Sequence, residues 1–495
     1  MPLEYDLVII GASEVGIEAA KIAARYGARV ALVQQGKLET WPIAQRVFLD
    51  CVFSEIGQSP TADWQANPVE RSQQSHRIAQ LVQTAIADYQ RIHSPEALGM
   101  LGIEVISGHG QFCRKPKPGL VIADRRILRS RAFLLALPQE IIVTIPGLAE
   151  AGHWTIESLL MQPDSLLAQP KPPTETQVLK QSLTLVGEDE QTVALAWGLQ
   201  RLGHQVTLIT GYSHILPQAD PDTTFRFQAI LEAQGIRIVT DADITQASRR
   251  HDRLWLQLNP SQLNPPAMAT DAVVITSRRA SLQSLELQAL GVHLPLELDD
   301  QLPHTTFQSA KCLVYACPAS AAHPYGIAHD WVQRILLAPW QRSSAHPFAL
   351  YELNTPIPIA GVGLTEPLAR NQYSRDCAVV EAVFPALALS HPSGHSSNHA
   401  SPLYCKVITR RNGELLGAHG VGEGAIAVIE LLHQALQLRL NIKTLRNLHS
   451  LPTSQGAIVQ QLAEQWRHQQ RSRWQQELWL DWFAWRRAWA MGRGH

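Results

Sequence analysis

At 495 residues the chain is too long for one ordinary domain, and it can bury a large core without disulfide staples. With 42 Lys+Arg against 43 Asp+Glu, its formal net charge of −1 excludes a global electrostatic pull on nucleic acid. Six cysteines exclude a secreted disulfide scaffold, residues 1–10 lack a basic region ahead of their apolar run, and no stretch reaches about 18 uncharged apolar residues, so a soluble, cytoplasmic, multidomain protein is expected.

The first readable unit is an apolar run at 7–10, a glycine turn at 11–16, a helical stretch to Arg25 and a second run at 29–33. A buried strand, a turn, a helix and another strand make a βαβ unit. Ile78, Leu81, Val82, Ala85, Ile86 and Tyr89 share one face and predict a helix over 70–92. Short strands are expected near 103–107, 119–123 and 132–137. A Pro-rich stretch at 169–173 reads as a linker or crossing segment. The βαβ pattern then returns, with a strand at 183–187, a helix at 194–202 and a strand at 205–209. Further apolar strands are expected at 272–276 and 312–317. The runs at 403–409 and 415–419 read as a hairpin around Arg411-Asn412-Gly413, followed by a helix over 424–438.

The first turn offers Gly11, Ser13 and Gly16 where a dinucleotide fold wants G-x-G-x-x-G. Gln34 stands where an acidic residue usually grips a ribose. Gly11, Ala12, Ser13, Gly16 and Gln34 are the candidate cofactor residues, read as an adenine-dinucleotide site or as a unit kept for packing alone.

In the order of its parts the chain resembles the class I pyridine nucleotide-disulfide oxidoreductases over about residues 5–462. The resemblance is carried by Ile145–Gly152, Leu199–Leu208, Val362-Gly363-Leu364-Thr365-Glu366 and Leu416-Gly417-Ala418-His419. It implies an α/β fold: two Rossmann-like domains, FAD-type and NAD(P)-type, plus a C-terminal α/β dimerisation domain. The expected divisions are 1–170 (FAD-type, first part), 171–290 (NAD(P)-type), 291–345 (FAD-type return), 346–463 (dimerisation) and a Trp/Arg-rich tail, 464–495.

The family's chemistry maps unevenly onto this chain. The redox dithiol, C-x4-C soon after the second strand, has only Cys51 in its region, with Arg46 and Ile56 five positions away. Cys312 and Cys317 have the spacing but lie on an apolar strand-like run, whose ends are about 16 Å apart; they read as core thiols. The family's H-P-x-x-x-E falls on Leu451 and Gly456 or Gln455. The Asp that holds flavin falls on Ala319, after Pro318. The family's A-T-G becomes Ala136-Leu137-Pro138, and its second fingerprint becomes Gly187-Glu188-Asp189-Glu190-Gln191-Thr192. Each like-charge contact near 4 Å costs about 4 kcal/mol before screening. A helix N-terminus returns only about 0.3–2 kcal/mol. Repulsion therefore outweighs attraction, and no tight NAD(P) site is expected; the carboxylates read as a helix cap.

His391, His395 and His399 are interrupted by Pro392 and Gly394 and read as a solvated loop. No catalytic or metal-ligating residue is assigned. In the tail, Trp474, Leu478, Trp482, Trp485 and Trp489 fall within an arc of about 80° on a helical wheel. Peripheral membrane contact and docking on a protein, including a second copy, are both open for it. The expectation is a homodimer without thiol chemistry, non-catalytic or residually flavin-binding. The alternatives are an FAD-dependent oxidoreductase of non-thiol chemistry, or a heterodimer with an intact paralogue.

Overall fold

The structure, a computed structural model, describes residues 4–55, 68–113, 119–122, 126–141, 143–161, 182–251, 253–259, 267–279, 285–290, 306–309, 312–316, 324–337, 350–353, 355–385, 401–447, 455–470 and 481–487. The segments 169–173, 389–400 and 448–454, and the residues Trp474, Leu478, Trp489, Cys317, Pro318 and Ala319, lie outside the described residues. The chain divides into two compact units, one of 1–217 and 228–347, the other of 218–227 and 348–495.

The first unit holds two doubly wound sheets. In the six-stranded sheet the order is Thr306–Ser309, Cys312–Ala316, Ser130–Leu135, Tyr5–Ile10, Val30–Gln34 and Ile103–Ser107. All neighbours are parallel except the first pair. Both faces are covered, so Leu7 and Ile9 pack with Ala19, Ala20 and Ile22 on one side, and Val8 and Ile10 pack with Val33 and Phe133 on the other. That is why the first strand reads as a continuous apolar run rather than an alternation.

The second sheet runs Arg237–Val239, Gln205–Ile209, Ser182–Val186, Ala272–Ile275 and Trp154–Thr155, all parallel. Its crossover helix is Glu190–Arg201, four residues longer at its start than the sequence pattern suggests, because Asp189 supplies the cap. A helix the pattern does not announce, Trp41–Glu55, lies against it. Phe53 meets Trp197 edge-to-face at 6.3 Å, and a Cβ on Gly198 would approach Phe48 to 2.8 Å.

The second unit is built on an antiparallel five-stranded sheet, in the order Leu350–Leu353, Ile359–Gly363, Leu415–Val421, Leu403–Arg410 and Cys377–Phe384. The hairpin around Asn412 is present, with Gly413 at φ +97°, a conformation that suits glycine. The helices Ala425–Gln437 and Gln455–Gln470 close its core through Val428, Ile429, Leu432, Val459 and Leu462. Trp466 belongs to that core and donates its Nε1–H to Thr409 Oγ1 at 2.8 Å. No helix among the described residues is long and apolar enough to cross a membrane.

Candidate functional site

The first glycine turn joins Tyr5–Ile10 to the helix Glu14–Arg25 at the carboxyl end of the parallel sheet, where doubly wound folds take ligands. Ser13 is buried and caps the helix, its Oγ accepting the Gly16 N–H at 3.3 Å. Its own N–H donates to the Ala136 carbonyl at 3.4 Å. Gly11 has φ +104°, and a Cβ there would lie 2.2 Å from that same oxygen. One on Gly16 would lie 2.7 Å from the Gly11 carbonyl oxygen. Both glycines are therefore required by backbone packing alone.

The structure brings Gly11, Ala12, Ser13 and Gly16 together, and Gln34 ends the adjacent strand half-buried. An FAD pyrophosphate fits this loop in part. Two amide donors are already used within the chain, but the cap is a neutral hydroxyl and Glu14 in the first turn is paired with Arg46 at 3.3 Å. The field of the helix N-terminus is thus left largely unopposed.

The second turn has the same plan and the opposite electrostatics. Asp189 caps Glu190–Arg201, its carboxylate accepting the Thr192 N–H at 2.8 Å as well as the Thr192 hydroxyl. Thr192 Oγ1 lies 2.6 Å from Thr276 Oγ1, and Thr276 donates to the Val186 carbonyl at 2.8 Å. A Cβ on Gly187 would lie 2.1 Å from Thr276 Oγ1. The turn is filled by the chain's own side chains, with the Asp189 carboxyl group at the helix N-terminus. Burial pushes the Asp189 carboxyl above the usual carboxylate range. Burial and the neighbouring Asp189 push Glu190 up to about 7.

A third group has no local signature in the sequence. Arg278 is buried and stacks over the Trp41 ring, 4.2 Å from its centroid. Its Nη2 is 2.8 Å from Glu157 Oε1. Trp41 Nε1–H donates to Glu39 Oε1 at 2.8 Å, and the Gln139 N–H donates to the same oxygen at 3.2 Å. Burial raises the Glu39 pKa. Among the described residues, Arg278 Nε and Glu157 Oε2 have no hydrogen-bond partner. Glu39 and Trp41 are brought to Glu157 and Arg278 by separate elements, so no spacing joins the four. The Arg278-Arg279 pair after an apolar strand is the one available signal. Cys51 lies half-buried on Trp41–Glu55, and the free thiols among the described residues are Cys51, Cys113, Cys377 and Cys405.

The second unit contains an ionic cluster around a buried lysine that the sequence also does not announce. Lys406 Nζ lies 3.0 Å from Asp220, 2.5 Å from Asp222 and 2.5 Å from Glu366. Burial alone would lower the Lys406 pKa, but its bonds to these carboxylates reverse that and raise it. The ammonium is locked in its charged form and unsuited to nucleophilic work. His419, paired across strands with Lys406, sits 3.2 Å from Tyr351 Oη and 3.0 Å from the Leu364 carbonyl. Burial lowers its pKa.

Comparison with known proteins agrees with this architecture. Residues 5–317 match the family described as pyridine nucleotide-disulphide oxidoreductase, and residues 353–462 match its dimerisation domain. A mercuric reductase from Staphylococcus aureus is 23% identical over 457 residues, covering 89% of this chain and 79% of that protein. A glutathione reductase from Nostoc sp. is 24% identical, covering 87% and 93%. The solved structure of the HOCl-induced flavoprotein disulfide reductase RclA from Escherichia coli shares the fold, with a TM-score of 0.66 at 20% identity, covering 93% of this chain and 99% of that one. With both family spans matched in order, the chain belongs to the pyridine nucleotide-disulphide oxidoreductase family.

Proposed function

We propose that this chain is a homodimeric member of the family that no longer relays electrons from NAD(P)H to a disulfide, and serves as a non-catalytic or residually flavin-binding protein. The observation that carries the reading is the Asp189 carboxylate bonded to Thr192 at the helix N-terminus, where a nucleotide pyrophosphate would need the same donors. The sequence supports it through the absence of C-x4-C near Cys51 and the replacement of the family's flavin Asp by Ala319. The domain divisions given above, FAD contact through Gly11, Ala12, Ser13, Gly16 and Gln34, and a cytoplasmic location belong to the same proposal. The test pairs an absorbance spectrum of the purified protein with NADPH turnover on quinone and disulfide acceptors. A weak or absent flavin band near 450 nm and turnover no faster than free flavin are expected. Turnover above that level overturns the reading.

A second reading is an FAD-dependent oxidoreductase of non-thiol chemistry, favoured by the neutral Ser13 cap, which leaves the first turn open to an anion. It requires a flavin band after reconstitution with FAD.

A further inference from the structure

The tail beyond residue 462 lies outside both family spans. It is unusual in composition: from Glu464 onward it has six arginines against three acids, and six of the chain's 13 tryptophans lie in its last thirty residues. Its described outer part is a short helix, residues 481–487, exposed at every position. Trp482, Phe483 and Trp485 are 49%, 45% and 54% exposed. Trp482 and Trp485 stack at 5.2 Å between ring centroids, with 28° between their planes. Arg486 and Arg487 follow directly.

Trp466, only sixteen residues earlier, shows what a structural tryptophan in this region looks like: 3% exposed and bonded to Thr409. The 481–487 helix is instead exposed along its whole length. On a helical wheel Trp482 and Trp485 lie about 60° apart, with Arg486 and Arg487 following on one side of the pair. Indole rings suit the boundary between headgroup and acyl chain, and arginines beside them suit anionic headgroups. We propose that this helix docks the protein on an anionic lipid surface, with the Trp482–Trp485 pair in the interface and Arg486 and Arg487 on the headgroup phosphates. The association is peripheral, consistent with the lack of a membrane-crossing helix among the described residues. It holds whether or not flavin is bound, and so stands apart from the proposed function.

The test is co-sedimentation of the full chain with phosphatidylglycerol–phosphatidylcholine vesicles and with phosphatidylcholine vesicles, at low and high salt. Binding to the first, little to the second, and weakening by salt are expected. R486Q/R487Q should weaken binding about tenfold or more, and W482S/W485S should abolish it at unchanged thermal stability. No binding to the anionic vesicles, equal binding to both, or variants that bind like the parent overturn the proposal. A change in elution volume for W482S/W485S without vesicle binding assigns the face to a second copy of the chain and overturns it equally.

Discussion

The two glycine turns of the first unit share a parallel strand, a tight turn and a helix whose capping side chain bonds the amide three residues on. They differ in the charge of that cap. Ser13 satisfies the Gly16 N–H with a neutral hydroxyl. Asp189 satisfies Thr192 with a carboxylate, backed by Glu190 in the next position. A neutral cap leaves the partial positive charge of the helix end available to a ligand; an acidic cap consumes it. One fold thus holds a turn with a neutral hydroxyl cap and a turn with an acidic cap, and a single side chain sets the difference.

The largest effect should come from the glycines. At Gly11, φ +104°, a Cβ meets backbone atoms, whereas at Gly187, φ +157°, it meets two threonine side chains rather than backbone. Gly11→Ala should cost about 3 kcal/mol and Gly187→Ala about half of that, read by urea unfolding. Equal costs would mean that the two turns are packed alike.

The second effect is pH-dependent. Glu190 has a folded pKa of about 7, above its ordinary 4.5. Between those values the folded chain keeps a proton that the unfolded chain has lost, so stability falls as pH rises through the window and is flat above it. Glu190→Gln should therefore be more stable than the parent at pH 8, by about 1–2 kcal/mol after solvent screening, and show no advantage near pH 4. An identical difference at both pH values would remove Glu190's charge from the comparison.

Asp189→Ser tests the cap itself. A serine keeps a cap of similar strength, so stability should change by only about 0.5 kcal/mol, while NADPH affinity should rise about tenfold as one repulsive contact disappears. Titration by nucleotide fluorescence would read it. At the other turn, Ser13→Ala should cost about 1 kcal/mol, the ordinary value of a lost cap, measured by thermal unfolding.

The division of the fold was legible because its signals are local. The apolar run at 7–10, the repeat at 183–209 and the turn at Asn412 each declare themselves within a few residues. A cap from the carboxylates at 188–190 was legible for the same reason, and the structure assigns it to Asp189. The helix Trp41–Glu55 was not, since it packs against three other helices and shows no clean polar side. Arg278 on Trp41 and Lys406 among its carboxylates were invisible because their partners are remote along the chain, up to 186 residues away for Lys406. A buried cation in an apolar strand is a sign of such partners, yet its own neighbours in sequence do not say which they are.

The cluster around Lys406 bears on how the chain can be cut. Asp220 and Asp222 lie in a ten-residue stretch, 218–227, that groups with the second unit although more than a hundred residues separate it from the rest of that unit. A fragment starting at 348 would contain the whole antiparallel sheet and both covering helices but would leave Lys406 with Glu366 as its only one of three partners. The domain that continuous residue boundaries mark out is therefore incomplete as a folding unit. It needs a short strip translated earlier, so during synthesis that strip must wait for more than a hundred further residues before its carboxylates meet their cation.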